Sequence, residues 1–557
     1  MPLRFLDQNP AFSLWEDAAF GPNGNWQVNW NNYLQKDPYM RNVFMCIEIV
    51  FGGGKRVLIS TRPHQSTDSK TGKDYVYLPL LQGEPAIDSE YSLGGGTASQ
   101  RSFSMSLDSR LVKPSEIISQ GHILAGWAEI SLQYKGIDYK DRFVVMRGDM
   151  DGGVRFASSR EVMDFDVSDP VNSQEYYIPK NTASLDRLGF ANETIGKRYP
   201  FVLGDHPYVP ALTIFDGSSF RTFLVMGGGS HEVDGTAIYR NGASVDTTST
   251  IYPWAASITE DNLGTRFLKI SFSVGTGSWD NGDTLYVPVT RVDDKKFDVI
   301  ESIEELISNQ TLMGRRGINK DLFGRSQARI AACNPKILIN GSGSSNSATA
   351  FDYVENTICS EFPMITMAWT CGGYGPVVTD RRSGLHVAHL EAKQFPLTSR
   401  ATLVEETPKS EVLNVFSVKY AYNPMADEYE GYVYRDASNS VLCALSQQHV
   451  GRREMDPIEA VTIYDAQDAA YVVDWMAAHY ALPSYYVEYD ASSLLLVKYQ
   501  LGDNIKLTDP ELGWSEVTAT IQKLSYRKGV VTLGLRVWVL YPDLPAGGKS
   551  GFTYTTS

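Results

Sequence analysis

The sequence has no run of about 18 apolar residues, the length a membrane-spanning helix needs, so no stable membrane insertion is expected. Cysteine is scarce, with Cys46, Cys333, Cys359, Cys371 and Cys443 the only five in 557 residues. Their odd number, wide scatter and lack of a C-x-x-C pair speak against a disulfide frame or a zinc site. They read as reduced, buried small hydrophobes. The start, Met1-Pro-Leu-Arg-Phe-Leu-Asp7, has no apolar stretch long enough for a signal peptide, and synthesis in a cytosol is expected. Basic residues are outnumbered, 50 Lys and Arg against 65 Asp and Glu, for a net charge of −15. Such a chain lacks the clustered Lys and Arg of a nucleic-acid-binding surface. The same charge suits a passage through which DNA moves without sticking.

Signatures of chemistry are missing too. Three glycine triplets, 52–54, 94–96 and 227–229, lack the G-x-x-x-x-G-K-[ST] spacing, and the first leads into a strand rather than a helix. They read as turn glycines. The run Gly148-Asp-Met-Asp-Gly-Gly153 fails as a calcium loop. Counted from Asp149, position 6 is Val154 and position 12 is Arg160, where Gly and a bidentate Glu are needed. It reads as an acidic turn, with an irregular cation site involving Asp164, Asp166 and Asp169 as the alternative. His386 and His389, near Glu391, form the only close histidine pair. On a helix that spacing would bring the rings together, but Leu385-His-Val-Ala-His-Leu390 also reads as a strand, which would point them to opposite faces. His231-Glu232 has no second histidine four residues on, and no H-E-x-x-H, G-x-S-x-G or catalytic cysteine signature occurs. Cys371-Gly-Gly373 reads as a tight loop after a buried strand. No catalytic, cofactor or metal residue is assigned, and no cofactor and no enzymatic activity are expected.

What the chain does have is β character. Gly 47, Tyr 31, Phe 23 and Trp 10 favour strands joined by turns. Residues 1–170 read as a barrel-like β domain. Residues 43–51 and 56–60 form a hairpin, Phe103, Met105 and Leu107 alternate with serines, and so do Ala128, Ile130, Leu132 and Tyr134 with polar neighbours. An aromatic segment, Trp15, Trp26, Trp30, Tyr33 and Tyr39, precedes them and reads as a packing or assembly contact rather than a sugar platform. Residues 171–296 stay β-rich, with an Asn241-Gly242 turn. From 297 to 410 the pattern becomes mixed α/β. Val299, Ile300, Ile303, Leu306 and Ile307 recur at helical spacing, Ile337–Ile339 is a short strand, and Asn346 or Ser347 is placed to cap a helix carrying Phe351, Val354 and Ile358.

Residues 411–541 carry the clearest pattern. Asn414-Val-Phe-Ser-Val-Lys-Tyr-Ala-Tyr-Asn423 is a strand. Ala469, Val472, Val473, Met476 and Tyr480 form one apolar helix face behind Asp465 and Asp468. Leu501-Gly-Asp-Asn504 is a turn, and two alternating strands follow, with Val517, Ala519 and Ile521 on one and Val531, Leu533, Leu535 and Val537 on the other. Residues 542–557 are rich in Gly, Ser and Thr and read as a loose tail. The order of these segments, with Ile195-Gly-Lys-Arg-Tyr-Pro-Phe-Val-Leu-Gly204 and Asn423-Pro-Met-Ala-Asp-Glu-Tyr429, resembles the central tail-tip, or baseplate hub, proteins of long-tailed phages and related gene-transfer particles.

The resemblance spans about 195 to 538. It implies a mainly β, multidomain chain with a smaller α/β part and two hub-type barrels, 1–170 and 411–541, the second with one helix. It implies a homotrimer at the virion tail tip, made in a host cytoplasm, that adapts a sixfold tail tube to a threefold tip. Implied partners are a distal tail protein ring, tail-tip or fibre proteins and a tape-measure protein, with DNA passing the lumen without sequence-specific binding. Two other readings stay open: a carbohydrate-binding or glycan-degrading β protein of a virion, and a hexameric distal tail or adhesin subunit.

Overall fold

A computed structural model describes Tyr33, Lys36 and residues 43–50, 56–83, 85–92, 102–108, 126–150, 154–156, 162–168, 199–216, 220–227, 230–234, 238–245, 254–260, 266–273, 284–293, 295–310, 318–330, 333–339, 349–370, 373–383, 385–394, 396–492, 499–527 and 530–538. The fold is mainly β, with strands grouped into several curled sheets, and the longer described helices fall between Val299 and Tyr480.

The first sheet runs, strand beside strand, Arg56–Ser60, Val43–Val50, Trp127–Tyr134, Phe143–Asp149, Val162–Ser168 and Ser102–Asp108. Its two outer strands both bond the segment 78–82. Ser60 N–H donates to Leu78 O at 2.8 Å and Leu78 N–H to Leu58 O at 3.0 Å. On the other side, Gln82 N–H donates to Ser106 O at 2.9 Å and Asp108 N–H to Leu80 O at 2.7 Å. The sheet therefore closes on itself as a barrel, and neither edge is left unpaired there. The alternation read from the sequence fills it: Met105, Leu107, Ile130, Leu132, Met163, Phe165 and Val167 are all buried in one core. On the opposite face of Val43–Val50 and Trp127–Tyr134, the hairpin of His64–Thr67 and Asp74–Tyr77 forms a second layer. Under it Glu129 is buried and paired with Arg142 and Arg147.

The last sheet has six strands, in the order His386–Glu391, Asn504–Asp509, Trp514–Arg527, Val530–Trp538, Tyr485–Ser492 and Leu397–Glu406. Its outer strands are neighbours in sequence, with only residues 392–396 between them. A flat sheet would hold them about 24 Å apart at ~4.8 Å per strand. The turn, tightened by Gln394 N–H to Glu391 O (3.1 Å) and Leu397 N–H to Gln394 O (2.8 Å), is too short for that. The sheet must curl into an open barrel, whose two outer strands form no ladder with each other among the described residues. The expected terminal hairpin is present, with Thr518 opposite Trp538 and Arg527 opposite Val530. Ala519, Ile521, Val531, Leu533, Leu535 and Val537 are all buried.

Two of these strands, His386–Glu391 and Leu397–Glu406, come from before residue 411. The strand expected to open the second barrel does not join it. Phe416–Asn423 instead pairs with Glu428–Arg435 and Ile458–Glu459 in a separate three-stranded sheet. Two helices follow it, where one was expected: Val441–Val450 and Ala466–Tyr480. Asp465 caps the second, its side chain accepting from Gln467 N–H. That helix is buried on nearly every side, Tyr471, Trp475 and His479 included, and not along a single face. It sits between its own sheet and the segment 379–382, so it needs apolar surface on both.

The remaining parts follow the sequence closely. Strands from His206–Asp216 to Leu285–Arg291 form a β-rich sheet. Its Tyr239–Arg240 and Ala243–Ser244 hairpin turns through Asn241 and Gly242, at φ 48° and 81°, the left-handed pair that a two-residue hairpin of this kind requires. The helix Val299–Gln310 and the strand Ile337–Ile339 occur as read. The helix bearing Phe351 is capped by Thr349, in a capping box with Asp352. The expected caps, 346 and 347, lie outside the described residues. This α/β part shares one core with the insertion between Leu397–Glu406 and Tyr485–Ser492: Ile303, Leu306, Phe351 and Ile358 pack with Phe416, Val418, Val472 and Trp475.

Gly148 lies in strand Phe143–Asp149, and its place in the barrel explains the glycine. A Cβ there would fall on the Ser168 carbonyl oxygen and within 2.9 Å of Val167 Cγ1, both on the adjoining strand. Gly148→Ala is expected to destabilise the barrel by about 1–3 kcal/mol, read as a lower midpoint in urea unfolding.

Candidate functional site

The residues that the sequence offered for chemistry are taken up by structure. His386 and His389 stand on a strand, as one reading had it, but a register shift between His386 and Ala388 interrupts the alternation that would set them on opposite faces. Each ring bonds a threonine, Thr518 at 3.3 Å and Thr508 at 2.8 Å. Asp164 and Asp166 accept from the cross-strand hydroxyls of Ser106 and Ser104, and Asp166 also pairs with Arg155. Asp169, residues 151–153, Cys371, the triplets at 52–54 and 94–96, Gly228 and Gly229 lie outside the described residues, as do Trp15, Trp26, Trp30 and Tyr39. Tyr33 stacks on Tyr134 of the first barrel at 4.0 Å between ring centroids. His231 is buried against the Gly204 carbonyl at 2.9 Å. Cys46, Cys333, Cys359 and Cys443 are buried, and burial pushes the thiols of Cys46, Cys359 and Cys443 up, away from the reactive thiolate. Among the described residues, no three His, Cys, Asp or Glu side chains gather in a way that could hold a metal ion.

The geometry concentrates instead where the two barrels meet. The segment 87–91 of the first barrel lies along Trp514–Arg527 of the second. Ile87 N–H donates to Tyr526 O at 3.0 Å, Tyr526 N–H to Ile87 O at 2.8 Å, Leu524 N–H to Ser89 O at 2.9 Å and Tyr91 N–H to Gln522 O at 3.1 Å. The two barrel interiors form one continuous core, in which Ile87 and Tyr91 sit with Ile521 and Tyr526. Behind this seam lies a buried polar junction. The Tyr91 hydroxyl meets Thr379 Oγ1 at 2.6 Å, and the Thr379 carbonyl accepts Trp475 Nε1–H at 2.6 Å. Asp380 takes both ends of the Arg382 guanidinium and the Tyr471 hydroxyl, and its backbone carbonyl accepts from Asn504 Nδ2 at 3.0 Å. Burial alone would raise the Asp380 carboxyl; Arg382 beside it more than offsets this and holds it below the usual range.

The turn Leu501-Gly-Asp-Asn504 anchors the second barrel to the α/β part. Gly502 has φ +80°, a backbone state that disfavours side chains, and a Cβ there would strike Val377. This lets Arg329, on the helix Lys320–Arg329, bond the Gly502 carbonyl at 2.8 Å and the Asp503 carboxylate with its other nitrogen. Arg325 and the Gln500 N–H complete the carboxylate's partners.

A cavity of about 210 Å³ opens where the β-rich sheet, the α/β part and the hairpin after Phe416–Asn423 converge. His206, Tyr208 and Tyr286 line it from the sheet, Lys336 and Tyr353 from the α/β part, and Tyr422 and Tyr464 from the insertion. The Lys336 ammonium lies 5.2 Å from the centre of the Tyr464 ring. Burial, then the charge of Lys336, lowers His206 to about 3, so this ring is neutral. Beside the cavity, Glu361 fixes the backbone of its wall, accepting from Val461 N–H at 2.9 Å and from Thr462 N–H at 3.0 Å and its hydroxyl. No signal in the sequence marked this cavity, since its walls come from segments that lie far apart along the chain.

No family model matches the chain, and no curated protein matches it in sequence. Solved structures of similar architecture do exist. One is a chain of the virion of a native gene transfer agent particle, similar over 64% of this chain and 88% of its own, at 11% identity and a TM-score of 0.40. Another is the 43 kDa tail protein of prophage MuSo2 from Shewanella oneidensis, similar over 89% of this chain and 98% of its own, at 10% identity and a TM-score of 0.35. A chain of the Francisella PdpA–VgrG complex is similar over 92% of this chain and 55% of its own, at 7% identity and a TM-score of 0.32. All three are distant likenesses.

Removing Asp503 leaves the Arg329 guanidinium, whose side chain is 5% exposed, buried without its counter-charge. Asp503→Ala is expected to cost about 3–5 kcal/mol in urea unfolding. Burial pushes Glu361 up from 4.5 to about 7 in spite of its three donors. The folded chain then holds this proton more tightly than the unfolded chain does. The contribution is fully present below pH 4.5 and is lost as pH rises to about 7, a change of about 3 kcal/mol. Melting temperature should fall across that window, and Glu361→Gln should flatten the slope.

Proposed function

We propose that this chain is a structural, non-enzymatic hub protein of a phage-type tail tip or baseplate. The observation that carries the reading is the seam between the barrels. Two barrels drawn from opposite ends of one chain are joined by backbone hydrogen bonds and one core, which makes them a single twin-barrel unit. In a homotrimer, three such units would set six barrels around one axis, and a ring of that kind meets a sixfold tube on one face and a threefold tip on the other. The ordered resemblance of residues 195 to 538 to tail-tip hubs points the same way. So do the contacts of His386, His389, Asp164, Asp166 and His231, each bonded to a neighbouring strand or turn.

Further features suit such an assembly. The outer strands of the second sheet leave Val387 and Val404 exposed, 45% and 43%, and outer strands are where a neighbouring chain adds on. A net charge of −15 lets DNA and a tape-measure protein pass a shared lumen without the DNA adhering. Distal tail and tip or fibre proteins would dock above and below.

The test is the mass of the purified full-length chain in solution, by light scattering behind gel filtration, with the copy number per particle by quantitative mass spectrometry. Three copies are expected in both. A stable monomer absent from the particle overturns the proposal, and six copies per particle would replace it with a distal tail or adhesin subunit.

A further inference from the structure

The cavity walled by Tyr208, Tyr286, Tyr353, Tyr422 and Tyr464 has a composition that sets it apart from the rest of this chain. Asp and Glu outnumber Lys and Arg over the sequence as a whole, yet none of the lining residues is acidic. Its charged lining group is Lys336, whose ammonium has no hydrogen bond or ion pair to any other described residue and rests only over the Tyr464 ring. His206 Nδ1 accepts the Tyr208 N–H at 3.1 Å, so its proton sits on Nε2 and the ring offers a donor. The Tyr286 hydroxyl is likewise without a partner among the described residues. The other polar groups are already engaged. Tyr464 donates to the Tyr422 carbonyl at 3.0 Å, Tyr422 to Asp427 at 2.7 Å and Tyr353 to the Leu338 carbonyl at 3.5 Å, while the Thr462 hydroxyl is held by Glu361.

What is left to a ligand is therefore three donors, one of them cationic, in a box of aromatic faces. A desolvated ammonium with no counter-charge in contact is costly, and burial lowers Lys336 by more than the distant charges of Asp205 and Asp465 raise it. An anion entering here would remove that cost. The size restricts the choice. About 210 Å³ is below the ~300–1,000 Å³ of pockets for drug-sized ligands. It has room for one six-membered ring. Ring C–H bonds carry slight positive charge and lie well against the negative face of a tyrosine.

We infer that this cavity is a binding site for one acidic sugar unit, a pyranose bearing a carboxylate. The carboxylate meets Lys336, His206 Nε2–H and the Tyr286 hydroxyl, and the ring's C–H faces meet the tyrosines. A neutral sugar would leave the ammonium unpaired, and a short acidic side chain would leave the aromatic faces bare. The inference stands on the cavity alone and holds whether or not the chain assembles as a trimer.

The test uses the full-length protein, with saturation-transfer NMR and calorimetry on glucuronic acid, glucose and N-acetylglutamate as probes. Glucuronic acid is expected to bind in the millimolar range and to weaken with added salt, with neither control binding comparably. Lys336→Met, which keeps the stem against Tyr464, should weaken glucuronic acid at least tenfold with an unchanged melting temperature. Tyr286→Phe removes only a hydroxyl and should weaken binding several-fold, which keeps the test decisive if the lysine variant misfolds. No binding of glucuronic acid, equal binding of glucose, or full affinity in a folded Lys336→Met protein overturns the site. Equal binding of N-acetylglutamate would make it a contact for an acidic peptide instead and overturn the sugar assignment.

Discussion

The buried carboxylate of Asp503 is the constraint on which the arrangement of the parts depends. It is 0% exposed and sits at the tip of a barrel turn. Its main counter-charge, Arg329, belongs to a helix of the α/β part, 174 residues earlier. A buried carboxylate cannot stay charged without such a partner, and the pair cannot form unless the turn comes within van der Waals contact of Val377. That contact requires a glycine, at φ +80°, in the preceding position. The next residue, Asn504, carries the constraint on to the Asp380 carbonyl, and Thr379 carries it to Tyr91 of the first barrel. Misplacing one of these groups would leave several buried polar atoms unpaired at once, so the junction is satisfied in one arrangement of the parts.

The strongly perturbed groups, at this junction and under the first barrel's hairpin, are held by neighbours of the same structural kind. Perturbed carboxyls and histidines often mark active sites, but here their partners are structural. Glu129 is held low, against its burial, by Arg142 and Arg147. Asp380 is held low by Arg382. His479, lowered to about 3 by burial, accepts the Arg381 N–H and bonds the Trp475 carbonyl through its other nitrogen. Lys336 is different, because no described carboxylate contacts it, and Asp205 and Asp465 act on it only from a distance. That asymmetry, and not the size of any shift, separates the tyrosine-lined cavity from the polar interior around it.

Much of the local structure was legible in the sequence. The alternation at 103–107, 128–134 and 531–537 marked barrel strands, the 3.6-residue period at 299–307 marked a helix, and Asn241-Gly242 and Leu501-Gly-Asp503 marked turns. What period and turn chemistry do not carry is the identity of a strand's partner. Phe416–Asn423 looks like a barrel strand because its pattern is that of any half-buried strand, and its pairing with Ile458–Glu459 is set by distant contacts. Leu397–Glu406 shows its outer face as Thr, Arg and Glu, and nothing local says that it closes a sheet after an intervening α/β insertion. The helix Val441–Val450 has a weak apolar face, so its sequence carries no clear helical period. The junction and the cavity were invisible for the same cause, since their residues meet only through tertiary structure.

The central claim is that the two barrels form one unit. Native-state hydrogen exchange of the full-length protein tests it most directly, because backbone amides at the seam report how the barrels open. The amides of Ile87, Tyr91, Leu524 and Tyr526 should open with the same free energy as the core strands around Ile130 and Leu533. Rapid exchange at those four positions, or barrel cores that open independently with clearly different free energies, would contradict the account.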